Sequence, residues 1–185
     1  DVIINEYQPK RIIDFGCGTG ALAKAFASRG VQVQAIDGYS EPDFSAYDTI
    51  RFKKVDLNNI NTTGDFLKQF DTKFDLAISI EVAEHLNPAV SSSFIEWMTS
   101  MADVIVFSAA VPGQDGDGHI NCRSRSDWYE FIKQCNFTIA DTIRQHFTSN
   151  PNLGLWHKFN IVDYVKKDTA FANRINPVEL AERLL

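Results

Sequence analysis

Apolar positions along the chain cluster in short runs separated by stretches in which they recur at three- and four-residue intervals. The runs Arg11–Phe15, Gln32–Ile36, Arg51–Val55, Phe74–Ile80 and Asp103–Ser108 have strand length, and several are rich in Val and Ile. Between them, helices are predicted over Ala21–Arg29, with Leu22, Ala25 and Phe26 on one face, over Asp65–Phe70, and over Pro88–Met101, where Phe94, Trp97, Met98 and Met101 share a face. Strands that alternate with helices imply a parallel sheet covered on both faces.

After the fifth run the pattern changes. A glycine-rich loop, Pro112–Cys122, leads into a helix near Asp127–Cys135, where Asp127 and Glu130 have capping-box spacing. Two apolar stretches, Phe137–Phe147 and Trp156–Val165, flank a turn-rich segment containing Pro151 and Gly154 and predict a terminal antiparallel hairpin. Pro177 opens a short closing helix, Val178–Leu185. The fold class is therefore α/β, a seven-stranded, mostly parallel, Rossmann-like sheet with helices on both faces.

A length of 185 residues fits one domain spanning 1–185. The chain starts at Asp1, without an initiator Met or a signal-peptide layout, which is compatible with a place inside a longer polypeptide. No apolar run approaches a membrane span, and three cysteines without a close pair argue against disulfides or a zinc cluster, so a cytoplasmic setting is expected. A net charge of −6, with basic pairs that are short and scattered, disfavours nucleic acid as a partner, and oligomeric state is left open.

The chemistry begins where the first strand enters Gly16-Cys17-Gly18-Thr19-Gly20 and then a helix, a geometry that turns backbone N–H groups toward a ligand. The spacing is G-x-G-x-G rather than the dinucleotide form G-x-G-x-x-G. Asp37, 17 positions after Gly20 at the end of the second strand, is placed to accept ribose hydroxyls, which suits either cofactor.

The segments IIDFGCGTG at Ile12–Gly20, QAIDGYS at Gln34–Ser40, KKVDLNN at Lys53–Asn59 and FDLAISIEVAEHL at Phe74–Leu86 together resemble the class I S-adenosylmethionine-dependent methyltransferases along nearly the whole chain. That resemblance implies S-adenosylmethionine as cofactor. It implies that Asp14 and the backbone of Gly16 to Gly18 hold the methionine end, with Phe15 and Cys17 in the same turn, and that Asp37 and Gly38 meet the ribose. Asp56 and Leu57 would meet the adenine, and Ile80 and Glu81 would flank the methionyl amine. Carboxylates suit such a cofactor, whose sulfonium and ammonium outweigh its single carboxylate. No chemistry is assigned to the Cys17 thiol.

The methyl acceptor is expected beyond the carboxyl ends of the fourth and fifth strands, where His85 and His119 lie. His119 is the leading base, in a loop too glycine-rich to pack as core. The loop resembles a P-G-Q-x-G-x-G-H-x-N segment of bacterial methyltransferases associated with glycans or secondary metabolites, which implies a small-molecule or glycan acceptor. Their terminal hairpin carries an aromatic pair followed by Q-N, of which Trp156 to Asn160 retains part. Trp128, Tyr129 and Trp156 could wall such a substrate, although aromatic residues at these spacings more often belong to the core.

Two alternatives stand beside this reading. Glu81, Glu84 and His85 would share one face of a helix, and the E-x-x-E-H string is similar to the metal-binding segment of RNA 2′-O-methyltransferases, with His119 as fourth ligand. The same string occurs in metal-free relatives, so no metal is assigned; a calcium loop at Asp115–Gly118 is rejected because Ser126 stands where the closing glutamate belongs. The other alternative is a cofactor-binding module without chemistry.

Overall fold

A computed structural model describes residues 1–59, 65, 67–70, 73–148 and 150–175. The strands are β1 (Arg11–Phe15), β2 (Gln32–Asp37), β3 (Ile50–Lys54), β4 (Leu76–Ile80), β5 (Val104–Ser108), β6 (Phe137–Ile139) and β7 (Val162–Lys166). They form one seven-stranded sheet in the order β3-β2-β1-β4-β5-β7-β6. β1 to β5 are parallel, with Ile12 beside both Val33 and Leu76, whereas β7 runs antiparallel to β5 and β6.

Successive side chains of each buried strand enter opposite layers, as pleating requires. Ile13, Phe15, Ala77, Ile105 and Phe107 pack on one face with Phe94 and Met98 of the helix Ser91–Met101 and Trp128 and Ile132 of the helix Arg125–Gln134. Ile12, Leu76, Ile78, Val104 and Val106 pack on the other with Ala23, Phe26 and Ala27 of the helix Ala21–Ala27 and Ile3 and Tyr7 of the helix Val2–Tyr7. The Tyr7 hydroxyl donates to the buried carboxylate of Asp163, which also accepts from the Thr142 and Ile143 N–H groups and so ties the first helix to β7.

Several sequence expectations shift. Ala25 is exposed, and the helix from Ala21 buries Ala23, Phe26 and Ala27 instead. The Arg125–Gln134 helix starts before Asp127: Ser124 is its cap, accepting from the Asp127 N–H at 3.1 Å, and Asp127 completes the capping box that had been placed at Asp127 and Glu130. The two terminal strands are adjacent and antiparallel as expected, but each is short. Arg144–Thr148 and Leu155–Asn160 are helices lying between them. The first helix, Val2–Tyr7, has no counterpart in the sequence reading. Of the helix expected over Asp65–Phe70, Asp65 and Leu67 are helical and Phe66 lies outside the described residues, as does the whole of Val178–Leu185.

Candidate functional site

The sheet order reverses between β1 and β4, since β2 and β3 continue to one side of β1 while β5 lies on the other side of β4. In an open α/β sheet, loops leaving neighbouring strands at such a point diverge and open a crevice. The β1 loop carries Gly16 to Gly20, and the β4 loop carries Glu81 to Leu86.

Gly16, Gly18 and Gly20 all have positive φ, which admits the tight turn after Phe15. A side chain at Gly16 would come within 2.5 Å of Val82, so both loops reach the same point only because this residue has none. The turn is anchored on Asp37. One of its carboxylate oxygens accepts from the Gly18 N–H at 2.8 Å, and the other accepts from the Tyr39 and Ser40 N–H groups at 2.8 and 2.7 Å. Those three bonds leave acceptor capacity on the carboxylate. Phe15 contributes backbone alone, because its ring is buried edge-on against Phe94.

Two cavities flank the turn. One, of about 230 Å³, is lined by Gly16, Asp37, Gly38, Leu57, Glu81 and His85 among others, which brings together residues expected around ribose and adenine. Asp56 is exposed and is not among its lining residues; one of its oxygens accepts from the Asn58 N–H. The other cavity, of about 470 Å³, has Asp14, Gly16, Cys17 and Thr19 on one side and Ile3, Leu22, Ile78, Ile80, Phe147, Leu153 and Ile161 as apolar walls, with His157 among its lining residues.

Asp14 is 3% exposed, and its Oδ2 has no hydrogen-bond partner. Burial, and then the charge of Asp37, push its carboxyl up to about 7. A carboxylate so placed favours a cation beside it. Burial, together with Asp14 and Asp37, pushes the Cys17 thiol up to about 12, which keeps it neutral and unreactive.

The β4 loop departs from the sequence reading. Glu81 has φ of +53°, and only Ala83–His85 form a single 3₁₀ turn, so Glu81 does not share a helical face with Glu84 and His85. Its carboxylate turns instead to Gln114 and Asn160, accepting from Gln114 Nε2 at 2.8 Å and from Asn160 Nδ2 at 3.4 Å. Nothing in the local sequence marks these partners, which lie 33 and 79 positions away.

Glu84, His85 and His119 do converge, each offering one ligand atom within 4.8 Å of the others. The imidazole rings of His85 and His119 meet edge to face at 5.0 Å, and each Nδ1 faces a loop carbonyl, that of Gly118 at 3.3 Å and that of Gln114 at 3.2 Å. Since a carbonyl only accepts, these bonds place the proton on Nδ1 and leave the Nε2 lone pair available. Glu84 is fully buried, and neither of its oxygens makes a hydrogen bond of full geometry. Burial pushes its carboxyl up to about 7, and backbone N–H groups, its own and that of Ala110, pull it only part of the way back.

The aromatic wall does not form. Trp128 is buried against Phe107, Tyr129 stacks on Tyr164, and Trp156 stands 46% exposed. Among the described residues, no helix is long and apolar enough to cross a membrane.

A family model described as a methyltransferase domain matches residues 5–105, more than half of the chain. A ubiquinone biosynthesis O-methyltransferase of Rickettsia typhi is 38% identical over 84 residues, a match taking in 44% of this chain and 33% of that protein. The chain thus spans about a third of the length of the curated relatives it matches. In structure it is similar to magnesium protoporphyrin IX methyltransferase (ChlM) of Synechocystis PCC 6803 with bound S-adenosylmethionine, with a TM-score of 0.63 at 19% identity over 89% of this chain and 74% of that one. It is also similar to the cyclase SpnF, with a TM-score of 0.61 at 16% identity over 90% of this chain and 78% of that one. Likeness at this level of identity establishes the Rossmann-like fold, and one fold can host different reactions.

Proposed function

Because the chain belongs to the methyltransferase-domain family, we propose that it moves a methyl group from S-adenosylmethionine to an oxygen or nitrogen of a small molecule or glycan. The observation that carries this reading is the unpartnered, buried Asp14 oxygen beside the Gly16–Gly18 turn. A cationic ligand answers it, and a pyrophosphate would be repelled by Asp14 and Asp37. The residues present therefore fit the cofactor. Asp14 and the Gly16–Gly18 backbone would hold its methionine end, Asp37 and Gly38 its ribose, Leu57 with Asp56 its adenine, and Ile80 with Glu81 its amine. When bound it supplies an electrophilic methyl group on a sulfonium.

The chain's own part is then positioning and proton removal. His119, with its proton on Nδ1, presents Nε2 as the base for an acceptor hydroxyl or amine. The apolar walls of the larger cavity favour an acceptor with an apolar body over a bare sugar, and the similarity to a ubiquinone biosynthesis O-methyltransferase points the same way.

Calorimetry tests the donor half: S-adenosylhomocysteine binds at micromolar concentration and NADH does not. NADH binding alone overturns the reading. His119→Ala is expected to lower methyl transfer by about 10²–10⁴-fold with cofactor affinity unchanged, measured by transfer of a labelled methyl group to a panel of phenolic, amine and sugar acceptors.

The convergence of Glu84, His85 and His119 favours a second reading, a metal-assisted transfer to a hydroxyl. These three residues would hold a divalent ion, and a buried carboxylate with no hydrogen bond of full geometry suits that donor set. An ion there would lower the acceptor hydroxyl's pKa. The acidic net charge speaks against RNA as that acceptor. Transfer that survives chelation and Glu84→Gln excludes this second reading.

A further inference from the structure

Among the bonds between the β4 loop and the loop that joins β5 to the Arg125–Gln134 helix, those to Glu81 run through the Gln114 side chain. Gln114 Nε2 donates to Glu81 Oε2 at 2.8 Å, while Gln114 Oε1 accepts from Asn160 Nδ2 at 2.8 Å and from the Val111 N–H at 3.4 Å. The orientation of the amide is fixed by chemistry, because a carboxylate accepts only and the Asn160 amide nitrogen and the Val111 N–H donate only. The main-chain carbonyl of the same residue faces His119 Nδ1 at 3.2 Å. Asn160, 4% exposed at the end of the Leu155–Asn160 helix, closes the ring by donating to Glu81 Oε1 at 3.4 Å.

We propose that Gln114, with Asn160, is a positioning residue that latches the 111–122 loop to Glu81, so that one residue sets the rim of the donor pocket through its side chain and the base His119 through its main-chain carbonyl. The roles of Glu81 and His119 rest on the methyl-transfer reading; the latch itself does not. Glu81 lines the smaller cavity and holds a left-handed backbone conformation that its partners must maintain. Releasing the Gln114 side chain frees the Glu81 carboxylate on one side and the loop backbone that carries the His119 partner on the other. The PGQ segment of the loop and the buried Asn160 of the last helix thereby acquire one shared task.

Amide hydrogen exchange on the ligand-free protein tests the latch. The reporters are the N–H groups of Gln114, Ile120 and Asn121, which are bonded to the carbonyls of Val111, Glu84 and Glu84. Gln114→Glu places carboxylate against carboxylate and is expected to lower protection of these amides about tenfold or more at pH 8, the loss that follows when a hydrogen bond to a charged group is broken. The double variant E81Q/Q114E reverses donor and acceptor and is expected to restore protection. Gln114→Ala, which removes the donor without adding charge, gives a smaller loss at the same amides should Q114E not fold. Protection unchanged in both single variants, or not restored in the double variant, overturns the latch. Titration of the wild-type protein with S-adenosylhomocysteine reports separately. No binding with an intact exchange pattern removes the methyl-transfer reading and leaves the latch standing.

Discussion

The two walls of the crevice, one proposed for the methyl donor and one for its acceptor, are built in different ways. The donor wall is local: Asp14 to Gly18 are consecutive, and Asp37 reaches back 19 positions to the Gly18 N–H from the neighbouring strand. The acceptor wall is assembled from afar: Glu81, at the rim it shares with the donor pocket, is bonded to Gln114 and Asn160, and Glu84 accepts from the N–H groups of Ile120 and Asn121 through its main-chain carbonyl. Even so, each wall hides a fully or nearly buried carboxyl, Asp14 in one and Glu84 in the other, pushed up to about 7 chiefly by burial. The site thus keeps two desolvated acids in different chemical company, one beside the glycine turn and one beside two imidazoles.

The largest expected effect exploits that pairing. Both groups titrate near 4 when unfolded and near 7 when folded, so between those values the native chain binds more protons than the unfolded one, and stability falls as pH rises. Each contributes at most about 1.4 kcal/mol per pH unit within that window. Urea titrations from pH 4 to 8 are expected to show this decline, and Asp14→Asn and Glu84→Gln each to flatten it. Saturating S-adenosylmethionine should abolish the Asp14 share alone, and a divalent ion should abolish the Glu84 share only under the metal-assisted reading. Loss of the Glu84 share on adding S-adenosylmethionine, or survival of the Asp14 share, breaks the assignment of one wall to the donor and the other to the acceptor.

Local sequence made the donor wall legible, because a glycine turn after a strand and an aspartate at the end of the next strand need only their neighbours to be recognised. The acceptor wall was legible only in part. His85 and His119 were placed at the right end of the sheet, but the left-handed Glu81 breaks the helical face that E-x-x-E-H suggests, and backbone conformation at one residue leaves no mark in composition. The stretch Phe137–Phe147 was read as a strand from its apolar content, although Ile139, Ile143 and Phe147 recur every fourth residue and the chain turns helical at Arg144. Leu155, Trp156 and Phe159 were likewise given to a strand, yet they stand 67, 46 and 48% exposed on a short helix.

A smaller effect is expected within the donor wall itself. Asp37→Ala strips three backbone N–H groups of a charged acceptor and should cost about 3 kcal/mol of stability in urea unfolding, with cofactor affinity falling as well. An intact cofactor affinity would detach Asp37 from the ribose.

Smallest is the change expected at a glycine of the acceptor loop. Gly113 has φ of +87° with nothing within 4 Å of an added side chain, whereas the equivalent atom at Gly16 would strike Val82. Gly113→Ala should cost about 1 kcal/mol, the strain of a left-handed residue alone, read as a modest drop in Tm. A loss much above that would mean that the loop packs more tightly than its open surroundings indicate.

The strand order also dictates when the sheet can be completed. β7 lies between β5 and β6, so β6 is bonded to the sheet only through a strand that follows it in the chain. A polypeptide emerging from the ribosome can pair β1 to β5 in sequence, but β6 must wait for residues 162–166, and the Val2–Tyr7 helix must wait with it for Asp163. Assembly therefore finishes by insertion between an established edge and a strand left in reserve, and until then the β5 edge is open to any other extended segment that reaches it first.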